Sequence, residues 1–281
     1  DYLSETARNW GGIWDYFAFP SSVAIDNQRD HIYVTDQIVE GSNTNPNIKG
    51  YIQTWDKSNA DEFVVEDIPT PNGQSRNTTI SPRIWNPVLN TMAEPGSYID
   101  WPSDTAIDEP AGLLYVTETN KNRILVYDIT AANGVPVFVR AIGSRGTGDG
   151  QFVHPHGIDL DSNGNMYVVD SRNHRVQKIA PDGTFITKWG TVGKNNGQFV
   201  YPFAISVDDS DNKVYVTDPY NRRIQVFDMD GAFLYSFSQW SSSETGSIYE
   251  LGGIYAENGK LFVSVADSQS SPPKLVKFNM N

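Results

Sequence analysis

The feature that most constrains this chain is an internal repeat. One copy begins at Pro155 and the next begins 47 residues later at Pro202, and in each copy the proline leads into the same order of short segments. A period of this length lies in the range of propeller blades. The repeat therefore predicts a β-propeller in which each copy forms one blade.

Within each copy, runs rich in β-branched and aromatic residues are bounded by Asn, Asp and Gly. This pattern is typical of short strands. The second strand of each copy is predicted at residues 31–36, 113–118, 166–170, 214–218 and 261–265. An Asp-Gly pair at 182–183, and again at 230–231, favours a tight hairpin into a fourth strand. The expected blade is a four-stranded antiparallel sheet in an all-β fold.

The number of first strands sets the expected number of blades. Five first strands are visible, and they begin near Ser21, Ser103, His156, Phe203 and Leu251. The last copy ends without a fourth strand, so we expect residues 4–9 near the N-terminus to complete that sheet and close the ring. Closure removes an exposed sheet edge. We predict five blades, with six as the alternative if an insertion contains a degenerate blade.

Two insertions interrupt the regular spacing in the N-terminal half. Pro20 and Pro102 are 82 residues apart, which is 35 more than one period. We assign the excess to long loops at 37–49 and 69–101, and long loops in compact folds are usually functional or disordered. No low-complexity linker separates two domains. The chain, 1–281, is therefore predicted to be a single propeller domain with two long loop insertions.

Three short motifs make the repeat similar to a known family. They are a Tyr-Val-Thr-Asp strand at 215–218, an Asp-x-x-Asn-x-Arg turn at 170–175 and a Gly-x-Gly-Gln-Phe-x-x-Pro connector at 148–155. In these motifs the chain resembles the NHL-repeat family of β-propellers. The resemblance implies the fold and no particular activity, because propellers host many unrelated functions.

Charge and composition restrict the class of partner. The formal net charge is −13 at pH 7 and there is no Cys. Nucleic-acid binding draws on clustered Lys and Arg, so we expect no nucleic-acid partner. The lack of Cys excludes disulfides, thiolate metal ligands and a cysteine nucleophile. No apolar run approaches the thickness of a bilayer, so no transmembrane segment is predicted.

Several features together favour an exported or cell-surface protein. The sequence opens at Asp1 without methionine, so either a leader was removed or the sequence was trimmed. Asn77 begins an Asn-Thr-Thr sequon for glycosylation. The acidic charge and the abundance of Asn, Ser and Thr agree with this location. We therefore expect an extracellular protein.

Two histidines are candidates for a site at the central channel. His156 opens the first strand of its blade, and His154 lies two residues earlier. The Pro-His-Gly opening is similar to that of the peptidyl-hydroxyglycine amidating lyases, and that resemblance implies a zinc ligand. Catalytic zinc needs three protein ligands, whereas other copies have Ser21, Ser103 and Phe203 at this position. We expect these histidines to make channel hydrogen bonds instead.

Carboxylates offer a second kind of site, because lactonase-type propellers hold a divalent cation through oxygen ligands. Most candidates recur at the end of the first strand of several copies, which indicates structural turns that accept backbone N–H bonds. The candidates are Asp26, Asp104, Asp108, Glu109, Asp159, Asp161, Asp208 and Asp209. Asp104 is the exception, because other copies have Gly157 and Ala204 at its position. The prediction is no cofactor, with one calcium or zinc ion at the channel as the alternative.

Aromatic residues outside the repeat pattern offer a third kind of site. Trp85, Tyr98 and Trp101 lie in the second insertion, among several prolines. Exposed aromatic side chains are plausible anchors for a protein or glycan partner. The alternative is that they fold back over the mouth of the channel, where Tyr201 is also expected.

These observations predict a binding or assembly module without catalysis of its own. It would engage a protein or glycan partner through its two long loops. One alternative is a metal-dependent lyase or hydrolase with His154, His156, Asp104 and Tyr201 around the channel mouth. The other is a structural subunit of a surface layer or filament, which would form a homo-oligomer.

Overall fold

The computed structural model describes residues 21–42, 45–56, 66–69, 75–78, 99–130, 136–238, 250–266 and 274–280. These residues form strands joined by turns, together with two single-turn 3-10 helices at Ser171–Asn173 and Pro219–Asn221. The strands are β1 (Ser22–Asp26), β2 (His31–Ser42), β3 (Asn45–Asp56), β4 (Glu66–Pro69), β5 (Ser75–Thr78), β6 (Pro102–Asp108), β7 (Leu113–Glu118), β8 (Arg123–Asp128), β9 (Val137–Ile142), β10 (Pro155–Leu160), β11 (Met166–Asp170), β12 (Arg175–Ile179), β13 (Phe185–Trp189), β14 (Ile205–Asp208), β15 (Lys213–Asp218), β16 (Arg223–Asp228), β17 (Phe233–Phe237), β18 (Glu250–Glu257), β19 (Lys260–Ala266) and β20 (Lys274–Asn279).

Four sheets between residues 102 and 279 repeat one plan, in which each strand pairs with the next along the chain. Three of these sheets have four strands each, namely β6–β9, β10–β13 and β14–β17. The last sheet has three described strands, β18–β20. The strands of the last three sheets pair antiparallel. The four-stranded antiparallel blade of a β-propeller is therefore confirmed.

The described residues form four blades, so the prediction of five, with six as the alternative, is wrong. The difference lies in the N-terminal copy. Its strands β2 and β3 are twelve residues each and pair from His31↔Asp56 to Ser42↔Asn45. The copy is thus a long hairpin beside the short β1, and no fourth strand joins it among the described residues. Residues 4–9 lie outside the described residues, so closure of the ring stays a prediction.

The first predicted insertion, 37–49, is part of this hairpin and is not a loop where it is described. Ladder pairing continues through it as far as the turn at the tip. The β-branched residues Ile38, Val39 and Ile48 give the segment strand propensity, and this outweighs the neighbouring Gly, Asn and Pro. The second predicted insertion, 69–101, begins in a two-stranded ribbon of β4 and β5.

Burial differs systematically across a blade. The middle strands β11 and β12 are buried at every position, whereas the outer strand β13 alternates between half-buried and exposed residues. Middle strands of a blade have other sheets on both faces, so they have no solvent face. Their polar members, such as Gln177, are buried and hydrogen-bonded. Alternation between two different faces is therefore confined to the outer strand of this blade.

The core between the sheets of β10–β13 and β14–β17 is aliphatic and aromatic. Val169 and Val176 contribute from the first sheet, and Val214 and Phe227 contribute from the second. Phe199, from the connector between the sheets, is fully buried in the same cluster. This connector aromatic therefore packs between the two blades.

The chain divides into two compact units. One comprises residues 1–102, 107–114 and 126–140, and the other comprises 103–106, 115–125 and 141–281. In the first unit, buried Asp26 accepts hydrogen bonds from the backbone N–H groups of Gln28 and Arg29 and pairs with the Arg29 guanidinium. The second unit contains the candidate site. A single domain over the whole chain stays a prediction.

Candidate functional site

A buried ion pair fixes the connector that leads into β10. Asp170 is fully buried, and its carboxylate accepts hydrogen bonds from the Val153 backbone N–H at 2.7 Å, the Asn173 amide at 2.8 Å and the Arg175 Nε at 2.8 Å. The Arg175 guanidinium also donates to the carbonyl oxygens of Thr147, Gly148 and Gln151. We call this arrangement the clasp. It holds an irregular connector against its own blade.

The next blade repeats the clasp with the same geometry. Asp218 accepts from the Val200 backbone N–H at 3.0 Å, the Asn221 amide at 2.8 Å and the Arg223 Nε at 2.9 Å. In β7 and β8, an ion pair between Glu118 and Arg123 occupies the corresponding place. The Asp-x-x-Asn-x-Arg motif therefore exists to satisfy connector backbone groups, since buried polar groups must be paired.

Left-handed backbone places two side chains at the start of consecutive blades. His154 and Tyr201, each directly before a proline, have φ of 52° and 49°. Residues before proline ordinarily adopt extended backbone, and a left-handed non-glycine residue is strained. Each is held by the preceding blade: the His154 N–H donates to Asn122 Oδ1 at 2.9 Å, and the Tyr201 N–H donates to His174 Nδ1 at 3.2 Å.

The acceptors in these two bonds are themselves left-handed turn residues. Asn122 and His174 have φ of 58° and 54°, and Arg222 has 53° at the corresponding turn of the following blade. Left-handed backbone turns these side chains away from the ladder and toward the next connector. Turns and connectors thus form one continuous surface at the edge where the first strands begin.

Aromatic rings stack along this surface. The ring centroids of His174 and Tyr201 are 4.7 Å apart, and those of Tyr201 and Tyr220 are 5.4 Å apart. Tyr201 is 41% exposed and Tyr220 is 73% exposed. With the cations beside these rings, we define the connector face as Arg145, His154, Arg172, His174, Tyr201, Tyr220 and Arg222.

His156, at the start of β10, and Phe203, just before β14, stack on each other. Their ring centroids are 4.9 Å apart, and Phe203 is 43% exposed. The Nδ1 atom of His156 is buried and has no hydrogen-bond partner, so the predicted channel hydrogen bond is not made by this atom. The His156 carbonyl instead accepts from the Thr117 hydroxyl at 2.7 Å.

The pKa values of all three neighbouring histidines are lowered. Burial is the largest cause in each case. It lowers the pKa of His156 to about 4, with smaller contributions from His154 and Arg172. The charges of Arg172 and Arg145 add to the effect of burial on the pKa of His154. These imidazoles are therefore neutral at pH 7, and the positive charge of the connector face comes from arginine.

Asp104 links two first strands. Its Oδ2 accepts from the Ile158 backbone N–H at 3.0 Å, and its Oδ1 accepts from the Thr105 N–H at 2.9 Å. Its own N–H donates to Thr117 Oγ1 at 2.9 Å. The predicted ligand of a hard cation therefore already uses both carboxylate oxygens, one within β6 and the other to join β6 to β10.

Asp159 makes a similar link that the sequence interpretation missed. Its Oδ2 accepts from the Val207 N–H at 2.8 Å and from the Ser206 hydroxyl at 3.2 Å. Burial, with a smaller contribution from the charge of Asp104, raises the pKa of Asp159 to about 7. Asp159 was grouped with the recurring turn aspartates, but it lies four residues after its proline. This offset from the proline is the sequence signal that distinguishes Asp159 from the turn aspartates.

The remaining predicted site residues lie elsewhere or outside the described residues. Trp101, in the first unit, is 40% exposed with φ of 64°. Asn77 lies in β5, opposite Asp67. Trp85 and Tyr98 are outside the described residues. Within the described part of the chain, no three His, Asp or Glu side chains come together in a way that could hold a metal ion.

Comparison with known proteins agrees with this geometry. The NHL repeat model matches residues 152–179. Protein lin-41 of Caenorhabditis elegans is 44% identical over 62 residues, which is 22% of this chain and 5% of that protein. Peptidyl-glycine alpha-amidating monooxygenase of Mus musculus is 31% identical over 109 residues, which is 37% of this chain and 11% of that protein. The chain thus spans about a tenth or less of the length of these curated relatives.

Solved structures share the fold at low sequence identity. A chain of a nidogen/laminin complex has a TM-score of 0.54 at 14% identity, covering 93% of this chain and 76% of that chain. A streptogramin B lyase structure has a TM-score of 0.52 at 14% identity, covering 95% of this chain and 71% of that chain. At this identity the likeness concerns the fold alone.

The blades and their clasps define this protein as a β-propeller. The repeat match over residues 152–179 and the partial relatives support the NHL type of propeller that the motifs indicated. Propellers of this type are often protein-interaction modules. In the described residues no helix is both long and apolar enough to cross a membrane.

Proposed function

We propose that this protein is a non-catalytic binding module that captures a protein partner on the connector face. The observation that carries the proposal is the exposed stack of His174, Tyr201 and Tyr220. Tyr and Arg are enriched among residues that dominate interface energetics. A stack that is 41% exposed at Tyr201 and 73% exposed at Tyr220 has aromatic surface available to a partner.

Preorganisation supports the same proposal. The clasp fixes the connectors, and the bonds from Asn122 and His174 hold His154 and Tyr201 in left-handed backbone. A surface already fixed in its binding geometry loses less conformational entropy when a partner docks. Strained backbone held by neighbouring structure also concentrates at functional positions.

The chemistry of the described histidines supports binding over catalysis. None of their side chains hydrogen-bonds to a hydroxyl or a carboxylate in the described part of the chain. An activated nucleophile needs such a partner. Neutral imidazoles stacked on aromatic rings are suited to contact and to accepting hydrogen bonds.

We further propose that the protein is exported or associated with the cell surface, with a protein or glycan partner contacting the segments 37–49 and 69–101 as well. The acidic composition and the sequon at Asn77 support this location. Deleting residues 70–97 measures what the second segment adds to partner capture. A loss caused by that deletion and not by changes on the connector face would place recognition in the segment.

The test of the connector face is an affinity pull-down from the source organism's extracellular fraction, using the full chain as bait. The double variant Tyr201→Ala and Tyr220→Ala should weaken capture of the recovered partner by at least about tenfold, the effect of losing hot-spot residues. Tyr255→Ala is the control, because Tyr255 is a 54% exposed tyrosine on β18, outside the connector face. Equal capture by the double variant and the control contradicts the proposal.

A metal-dependent lyase is the second candidate. It is favoured by the similarity to the mouse amidating monooxygenase and by His156, whose neutral imidazole has a free Nδ1. The described residues do not fit a three-ligand metal centre, so no catalytic step is derived from them. Elemental analysis of the purified protein separates the candidates, because one tightly held zinc or calcium per chain would favour the lyase.

A further inference from the structure

Three exposed arginines lie on the connector face of an acidic protein. Arg145, Arg172 and Arg222 are exposed and have no carboxylate partner in the part of the chain that is described. Four other described arginines are each paired with a carboxylate: Arg29, Arg123, Arg175 and Arg223. Unpaired cations in a chain of net charge −13 indicate a surface that meets negative charge from outside.

The arginines are interleaved with the rings. Arg172 is anchored by its N–H to the Val153 carbonyl at 3.1 Å, beside His154, whose pKa it lowers. Arg222 lies two residues after Tyr220 in the corresponding turn of the next blade. Arg172 and Tyr220 occupy equivalent turn positions, as do His174 and Arg222. A ligand that lies across these two turns would therefore contact Arg172 at one end, Arg222 at the other end, and the stacked rings between them.

The carboxylates near this surface are already engaged. Asp170 and Asp218 are fully buried within the clasps. Exposed Asp149 pairs with Lys188. Exposed Lys194, in the connector after β13, adds a further positive charge. The arginines of the connector face are therefore not neutralised by these groups.

We propose that the connector face binds an acidic protein segment that also carries aromatic side chains. Its carboxylates would take the guanidinium forks of Arg172 and Arg222, which match carboxylate geometry. Its rings would pack on Tyr201 and Tyr220. This inference rests on the proposed function and specifies the chemistry of the partner. A long polyanion such as RNA is disfavoured by repulsion from the net negative charge of the chain.

The test uses a short fluorescein-labelled peptide in which Glu alternates with Tyr, titrated with the full chain and followed by fluorescence anisotropy. Matched peptides replace Glu by Gln or by Lys, and an oligouridine of similar length serves as the nucleic-acid probe. We expect the Glu peptide to bind at least about tenfold tighter than the Gln peptide, and its affinity to fall as salt is raised.

Single-charge variants locate the site. Arg172→Gln and Arg222→Gln should each weaken binding of the Glu peptide by about tenfold. Lys260→Gln is the control, because Lys260 is an exposed cation at the start of β19, on the opposite turn of its sheet. Tyr201→Ala should weaken both the Glu and the Gln peptide. Equal binding of the Glu and Lys peptides, tighter binding of oligouridine, or an equal loss in Lys260→Gln overturns the inference.

The two proposals fail in different ways. If the peptide shows no preference for Glu but the tyrosine double variant still loses its partner in the pull-down, the binding module stands and its partner has another chemistry. If the pull-down is also unaffected, the connector face is not the binding surface.

Discussion

The clasp gives the sharpest quantitative test of how this fold is held together. The change is Asp170→Asn, which keeps the size of the side chain and removes its charge. The buried guanidinium of Arg175 then loses its counter-ion. The Asn amide also presents a donor to groups that are themselves donors, namely the Val153 N–H, the Asn173 amide and the Arg175 Nε.

The expected loss of unfolding free energy is about 3–5 kcal/mol, the cost of breaking a buried ion pair by removing one partner. Side-chain volume is conserved, so no cavity term adds to this figure. A domain with a total stability of about 5–15 kcal/mol loses a large share of it. In the same connector, Asp149 pairs with Lys188, and both side chains are substantially exposed. Asp149→Asn should cost less than about 1 kcal/mol.

The measurement is urea unfolding of both variants and the parent, followed by tryptophan fluorescence at pH 7. The same comparison in thermal unfolding should give a drop of about 10 °C for Asp170→Asn, since 1 kcal/mol shifts the melting temperature by about 2–4 °C in a chain of this size. If the two variants differ by less than about 1 kcal/mol, the clasp is not a buried, fully desolvated pair and the reasoning fails.

Two further predictions concern the inner strands. Burial raises the pKa of Asp159 in the folded state to about 7, whereas the pKa in the unfolded chain is about 3.9. Between these two pH values the folded protein keeps a proton on Asp159 that the unfolded chain has lost. The contribution of Asp159 to stability should therefore be full below about pH 4 and lost as pH rises to about 7. In urea unfolding, the free energy of unfolding of Asp159→Asn should depend less on pH than that of the parent. Parallel pH dependences of the two proteins would contradict the assignment. Gly157→Ala would place a Cβ 2.9 Å from the Ala204 Cα and the Phe203 carbonyl oxygen, so it should lower the free energy of unfolding by about 1–3 kcal/mol. The control is Gly253→Ala on β18, where the added Cβ has only a 3.7 Å contact and the cost should be far smaller. Similar melting temperatures for the two variants would refute the close approach at Gly157.

The blade was predictable from sequence because its determinants are local and repeated. Strand propensity, the Asp-Gly hairpins and the motif at 170–175 recur at fixed spacing, and the structure has strands, hairpin turns and 3-10 turns respectively at these places. The blade count was not predictable by the same logic. In the N-terminal copy β2 and β3 extend into a long hairpin. The prediction of a loop at 37–49 did not take account of the β-branched residues in this segment.

The candidate site was only partly predictable. His154, His156 and Tyr201 were identified from their places beside the repeat prolines. Arg172 and Arg222 were not identified, because the sequence does not show which arginine of each turn enters the clasp. The order of residues in a turn cannot show which side chain points inward. That depends on the left-handed residue at the end of the turn.

The same geometry separates the residues that fix the backbone of the repeat from those that differ between copies. The clasp fixes the connector, and it uses the same Asp, Asn and Arg in the two blades β10–β13 and β14–β17. The side chains at the turn's end are Asn122, His174 and Arg222, three different chemistries on similar backbone. Asn122 is buried and His174 is half-buried, and each accepts a hydrogen bond from the next connector, whereas Arg222 is exposed, so the exposed residues of the turn are the ones that can differ between blades without loss of the fold. A rigid frame with variable exposed side chains is the arrangement that recognition requires, since it separates the stability of the scaffold from the choice of partner.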